Sequence, residues 1–112
     1  MARYVRITAT PTVNNQDEFP LYADVILDDS SRVSGNYPVF GFQGEIEQRS
    51  GASMPFILHP DGRMDFGEKY VSPDRFYRLD LRDASVGIGQ LVTIRGDGYE
   101  STFRITSLEP LM

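Results

Sequence analysis

"QLVTIRGDGYESTFRIT", residues 90–106, holds two runs that alternate apolar with polar residues on either side of Asp97-Gly98. Asp-Gly between alternating runs is the strongest short signal for a two-residue hairpin loop of type I′, whose central residues need φ > 0. With Asp97-Gly98 as that loop, Gly96 faces Tyr99 and the rest of the register follows by counting outward. Arg95 meets Glu100, Ile94 meets Ser101, Thr93 meets Thr102 and Val92 meets Phe103. One face then carries an opposite-charge pair and a threonine pair, each favourable by roughly 0.2–1 kcal/mol. The other face collects Val92, Ile94, Phe103 and Ile105. A three-residue Gly-Asp-Gly loop would instead set Ile94 against Glu100 and Val92 against Thr102, mixing the faces and burying charge. The two-residue loop wins.

The same register disposes of Arg95-Gly96-Asp97 as an adhesion-receptor ligand. Such a ligand displays its arginine and aspartate splayed apart on a mobile loop. Here Arg95 belongs to a strand, paired with Glu100, and Asp97 forms the turn. A three-letter motif is a weak signal in any case. The tripeptide reads as a bend.

The alternation extends through the rest of the chain. "YVRITAT" puts Val5, Ile7 and Ala9 on one face, and "LYADVIL" does the same with Leu21, Ala23, Val25 and Leu27. Polar loops separate such runs, as at "TVNNQDEFP" and "DDSSR", where short side chains bond their own backbone. "NYPVFGFQGEIEQ" places Phe40, Phe42 and Ile46 on one parity, which reads as the core side, with Tyr37 and Val39 on the other. Its Gly41 and Gly44 suggest a bulge or a sharp bend. "HPDGR" joins "PFILH" to "RMDF" as a hairpin: Pro60 presets φ, and Gly62 takes the left-handed conformation that closes the loop. "SPDRFYRLDLRD" mixes signals. Ser72, Pro73 and Asp74 make a helix start, while Tyr77, Leu79 and Leu81 alternate with charged residues as a strand does. One helical turn at residues 72–75 leading into a strand reconciles them.

These runs predict a single all-β domain over residues 1–112. The expected fold is a small antiparallel β-barrel or sandwich of about six or seven strands, with at most one short helical turn. The chain has 112 residues, 40% of them hydrophobic and 24% charged, which suits an ordinary globular core.

Composition narrows the function classes. There is no cysteine, which removes disulfides, thiolate nucleophiles and cysteine metal sites together. The one histidine, His59, is the obvious general base, yet it stands just before a turn and no nucleophile or orienting partner is marked in the sequence. We expect no enzymatic activity and no cofactor. Carboxylates at Asp61, Asp65 and Glu68, and at Asp24, Asp28 and Asp29, lack the spacing of a calcium loop and read as solvated turn acids, so no metal is expected. The net charge is -5, with 16 acidic residues against 11 basic ones. Such a surface repels phosphate backbones. The nearest basic cluster, Arg75, Arg78 and Arg82, has Asp74, Asp80 and Asp83 among it and reads as a mixed-charge solvated face. No nucleic-acid partner is expected. No run approaches the ~20 apolar residues of a membrane span, and "MARYVRITAT" shows no apolar signal block, so the expected compartment is the cytoplasm.

Tyr37, Phe40 and Phe42 fall within six residues, and small β domains use such groups to hold a peptide or a second subunit. They are the candidate partner-binding residues. The leading expectation is a non-enzymatic interaction or assembly module, binding a protein partner or its own copy as a dimer. The alternatives are a small-ligand or carbohydrate-binding barrel and, behind it, a small hydrolase. The dimer expectation rests on "NYPVFGFQG" forming an uncharged, unguarded sheet edge.

Overall fold

A computed structural model describes residues 3–12, 20–35, 38–44, 54–66, 77–96 and 98–111, the side chain of Tyr99 apart. The strands are β1 (Arg3–Pro11), β2 (Leu21–Leu27), β3 (Val39–Gln43), β4 (Met54–Leu58), β5 (Arg63–Asp65), β6 (Tyr77–Leu79), β7 (Leu91–Gly96) and β8 (Tyr99–Pro110). Each pairs antiparallel with the next, and β8 returns to β1 to close a barrel.

The hairpin of β7 and β8 has the register that its residue pairs dictate. Gly96 faces Tyr99, Arg95 faces Glu100, Thr93 faces Thr102 and Val92 faces Phe103. Arg95 Nε lies 3.3 Å from Glu100 Oε2, and the hydroxyls of Thr93 and Thr102 are 3.3 Å apart. Gly98 has φ +77°, as the second position of the loop requires. Asp97 lies outside the described residues. The "PDG" hairpin forms too. The Gly62 amide donates to the His59 carbonyl at 2.9 Å, the His59 amide donates to that of Arg63 at 2.9 Å, and Gly62 has φ +91°.

Four expectations need correction. The described residues form eight strands rather than six or seven, because even the short runs at "RMDF" and "FYRL" form separate strands, β5 and β6, of three residues each. The arrangement is a closed barrel, and among its described strands β3 is bonded to β2 on one side and β4 on the other, which removes the exposed edge on which the dimer was argued. The faces of β3 are inverted. Val39 is buried, while Phe40 is 65% exposed and Phe42 lies outside on the same parity. Finally, a helical turn among the described residues comes after β6, as a 3-10 turn at Asp80–Arg82, and Leu81 reaches the core from this turn rather than from a strand. Asp80 Oδ1 accepts the Thr93 amide at 2.7 Å, so a side chain takes the ladder bond that β6 no longer offers. The helical turn expected at residues 72–75 lies outside the described residues.

Gly41 explains why β3 inverts. Its register continues unbroken from Val39↔Leu58 to Gln43↔Met54, so there is no bulge at this glycine. The position points inward, and a Cβ there would stand 2.5 Å from the Tyr22 carbonyl oxygen and 2.6 Å from Phe56 Cζ. The ring of Phe56 occupies the space that any other side chain would need. A register irregularity does occur elsewhere, between Thr8 and Ala9 where β1 pairs with β8.

The inward faces supply the core: Phe103, Leu27, Leu58, Met64, Leu79 and Ile105 are its largest fully buried side chains. An eight-stranded barrel is just wide enough for such side chains to fill. Phe66 packs between Phe56 and Tyr77, with ring centroids 5.7 Å and 6.3 Å away. Outward positions carry Arg6, Asp24, Arg78, Arg95 and Glu100, none of them in the buried set. None of the described helices is long and apolar enough to cross a membrane.

Candidate functional site

The outer face of β1 to β4 is built by cross-strand pairing. Along one row Arg6 faces Asp24, Asp24 faces Phe40, and Phe40 faces Ile57. Along the next, Thr8 faces Tyr22, Tyr22 faces Phe42, and Phe42 faces Pro55. Neighbours at these positions are close enough for their side chains to interact directly.

Tyr22 and Phe42 stack, with centroids 4.7 Å apart and planes at 20°. Such a pair contributes about 0.5–1.5 kcal/mol beyond its buried area. In the adjoining row Arg6 holds Asp24 bidentately, Nε to Oδ1 at 2.7 Å and Nη2 to Oδ2 at 3.0 Å. The planar guanidinium matches the carboxylate fork, and both side chains are half-buried. Asp24, first through this hydrogen bond and then through its charge, raises the Arg6 pKa above its ordinary value. Phe40 stands beside this pair with little covering it. Arg6, Tyr22, Asp24, Phe40, Gly41 and Phe42 line a shallow cleft of about 90 Å³.

Of the three candidate residues, Phe40 and Phe42 come together on this face, and Tyr37 lies outside the described residues. Tyr22 and Arg6 were missed, and Asp24 was taken as a turn acid. The signal for all three was present in the alternation of β1 and β2, which turns Arg6, Tyr22 and Asp24 outward. What the sequence did not supply was the partner strand, and hence that they meet Phe40 and Phe42.

The other candidates are accounted for locally. Asp28 Oδ1 accepts the amides of Ser30 at 2.8 Å and Arg32 at 3.1 Å, and Asp61 Oδ1 accepts that of Arg63 at 3.0 Å. These are turn bonds. His59 does have a partner: its Nε2 lies 3.1 Å from Asp65 Oδ2, across the short hairpin. Asp65 faces Ile57, so the pair borders the aromatic face. A hydroxyl positioned against His59 would be needed for nucleophilic chemistry, and among the described residues His59 makes no other side-chain hydrogen bond. Among the described residues no group of three or more His, Asp or Glu side chains could hold a metal ion. Glu68 and Arg75 lie outside the described residues.

What this arrangement can do chemically is bind. It offers two stacked rings, one uncovered ring and a charge pair of both signs on a rigid sheet. Comparison with protein-family models, with curated proteins and with solved structures finds no match for the chain.

Proposed function

We propose that the chain is a non-enzymatic assembly module of the cytoplasm that associates with a second copy of itself through the outer face of β1 to β4. The observation that carries this reading is Phe40, 65% exposed beside the Tyr22–Phe42 stack and the Arg6–Asp24 pair. Large aromatic residues and arginine are the side chains most enriched where proteins meet. A two-fold contact sets one patch against its own copy, so the patch must complement itself. A face carrying aromatic rings and one charge of each sign meets that condition. The filled barrel interior supports binding on the outer surface over binding in a lumen. A carbohydrate ring on the Tyr22–Phe42 stack is the second reading. The adjoining cleft of about 90 Å³ is small against the ~300–1,000 Å³ usual for ligand pockets, which ranks it behind.

Static light scattering over a concentration series tests the proposal. The mass should rise toward that of a dimer. Phe40→Glu, changing an exposed residue, should leave the thermal melt unchanged and hold the mass at that of the monomer. A native chain that stays monomeric at every concentration refutes self-association, and a Phe40→Glu variant that still dimerises refutes the aromatic face as its site.

A further inference from the structure

The opposite wall of the barrel, β5 to β7, carries a second arrangement that the aromatic face does not involve. Arg63 faces Arg78 and Arg78 faces Arg95, so three guanidinium-bearing residues stand in one cross-strand row. Like charges directly opposite one another are unfavourable in a sheet, so the row costs stability unless each charge finds a counter-charge. Beside it lies a cleft of about 200 Å³ lined by Arg78, Arg95, Asp80, Asp83, Gly62 and Thr93, among others.

The charges lining this cleft are unequally occupied. Asp80 already accepts the Thr93 amide, and the Asp61 side chain is turned onto the Arg63 amide. Arg95 reaches Glu100 across solvent at 3.3 Å, with both side chains more than 60% exposed, a contact that a ligand displaces at small cost. Arg78 donates to the Asp61 carbonyl at 3.2 Å and, among the described residues, makes no ion pair. The Asp83 carboxylate likewise has no ion-pair or hydrogen-bond partner among the described residues, although its backbone carbonyl accepts from Arg32 at 3.2 Å. A cation and an anion that are unpaired among the described residues therefore line one cleft without meeting. The Asp61 carboxyl is held below its ordinary range, first by the Arg63 amide and then by the charges of Arg63, Arg78 and His59, in keeping with a positive potential on the arginine side.

We propose that this cleft binds a small dipolar molecule of the amino-acid type, its carboxylate between Arg78 and Arg95 and its ammonium group toward Asp83. A carboxylate alone would meet the arginines but also the field of Asp80 and Asp83. An ammonium group alone would meet the reverse. A molecule carrying both charges satisfies each side, because charge-assisted hydrogen bonds form at both ends. The site shares no residue with the aromatic face, so the two proposals stand or fall separately.

The test is a heteronuclear NMR titration of the ¹⁵N-labelled chain with glycine and with L-alanine, and with acetate and methylammonium as half-ligands. The amino acids should shift the Gly62 and Thr93 amides saturably, with affinity roughly tenfold above that of either half-ligand. Arg78→Gln and Asp83→Asn should each weaken binding by roughly tenfold, the loss of one charge-assisted hydrogen bond. Arg104→Gln, an exposed arginine outside the cleft, should change nothing. Three results would overturn the proposal: no saturable shift with either amino acid, acetate binding as tightly as they do, or undiminished binding by Arg78→Gln.

Discussion

Gly41→Ala should be among the most damaging single-methyl additions this chain can receive. A Cβ there would lie 2.5 Å from the Tyr22 carbonyl oxygen and 2.6 Å from Phe56 Cζ, where ordinary contact begins above 3 Å. Neither neighbour yields easily. The oxygen belongs to β2, which is laddered to β3 at Ala23↔Gly41, and Phe56 is only 3% exposed, its ring packed against Phe66. Gly41 does not adopt a left-handed backbone, so alanine meets no conformational strain and the cost is steric alone. Overpacking a filled core costs about 1–3 kcal/mol and occasionally more, and a clash with backbone places this one at the upper end. Alanine returns about 0.5–1 kcal/mol by restricting the unfolded chain, leaving a net loss of about 2–3 kcal/mol. At about 3–6 °C per kcal/mol for a chain of this size, the melting temperature should fall by roughly 6–18 °C. Phe56→Leu alone opens a cavity and costs about 1–3 kcal/mol. In the double variant the ring clash is gone and the carbonyl clash remains, so the two losses should sum to less than their parts by about 1 kcal/mol. Circular-dichroism melts of the four proteins measure this. A Gly41→Ala melt within 2 °C of the parent, roughly half a kcal/mol, would refute the packing argument.

Two further outcomes follow from other single positions. Gly98 has nothing within 4 Å of a would-be Cβ but has φ +77°, so Gly98→Val should cost roughly 1–2 kcal/mol through backbone strain alone; an unchanged melt would mean that the hairpin turns differently. Ser101 is 1% exposed and its hydroxyl has no hydrogen-bond partner among the described residues, so Ser101→Ala should stabilise by up to about 1 kcal/mol, and a lowered urea midpoint would show that the hydroxyl is satisfied after all.

What could be read in advance depended on how far apart the interacting residues lie in the chain. The β7–β8 register was legible because only one alignment pairs Arg95 with Glu100 and Thr93 with Thr102 while keeping Val92, Ile94 and Phe103 together. The inward faces of β1 and β2 were legible because Val5, Ile7, Leu21 and Leu27 outweigh their polar neighbours. β3 misled for a physical reason. Its inward position is a glycine whose space is filled from β4, so the larger apolar residues of the strand, Phe40 and Phe42, are the ones left outside. The row of Arg63, Arg78 and Arg95 was hidden because β5, β6 and β7 are brought into register by segments of three residues or by a turn whose key bond is Asp80 to Thr93. Within the mixed-charge run read from the sequence, the described residues Arg78 and Arg82 part company. Arg82 turns toward the carbonyls of Gly35 and Leu58 at 3.3 and 3.4 Å, leaving Arg78 in the cross-strand row.

Closure of the barrel by its first and last strands also sets a timetable for the nascent chain. Of the barrel strands β1 is synthesised before the others and can pair with β2 at once, but its other side must wait for β8, the last of the eight in chain order. At ~5–20 residues per second, the interval between β1 and β8 is roughly 5–20 s. Throughout it, β1 presents a row of unpaired amides and carbonyls with Val5, Ile7 and Ala9 beside them, the kind of template on which other chains stack. The step that ends this exposure joins the most distant strands and must meet the largest loop-closure entropy of the fold, so it should limit the folding rate. The barrel that closes on itself when finished keeps an open edge along β1 for most of its synthesis.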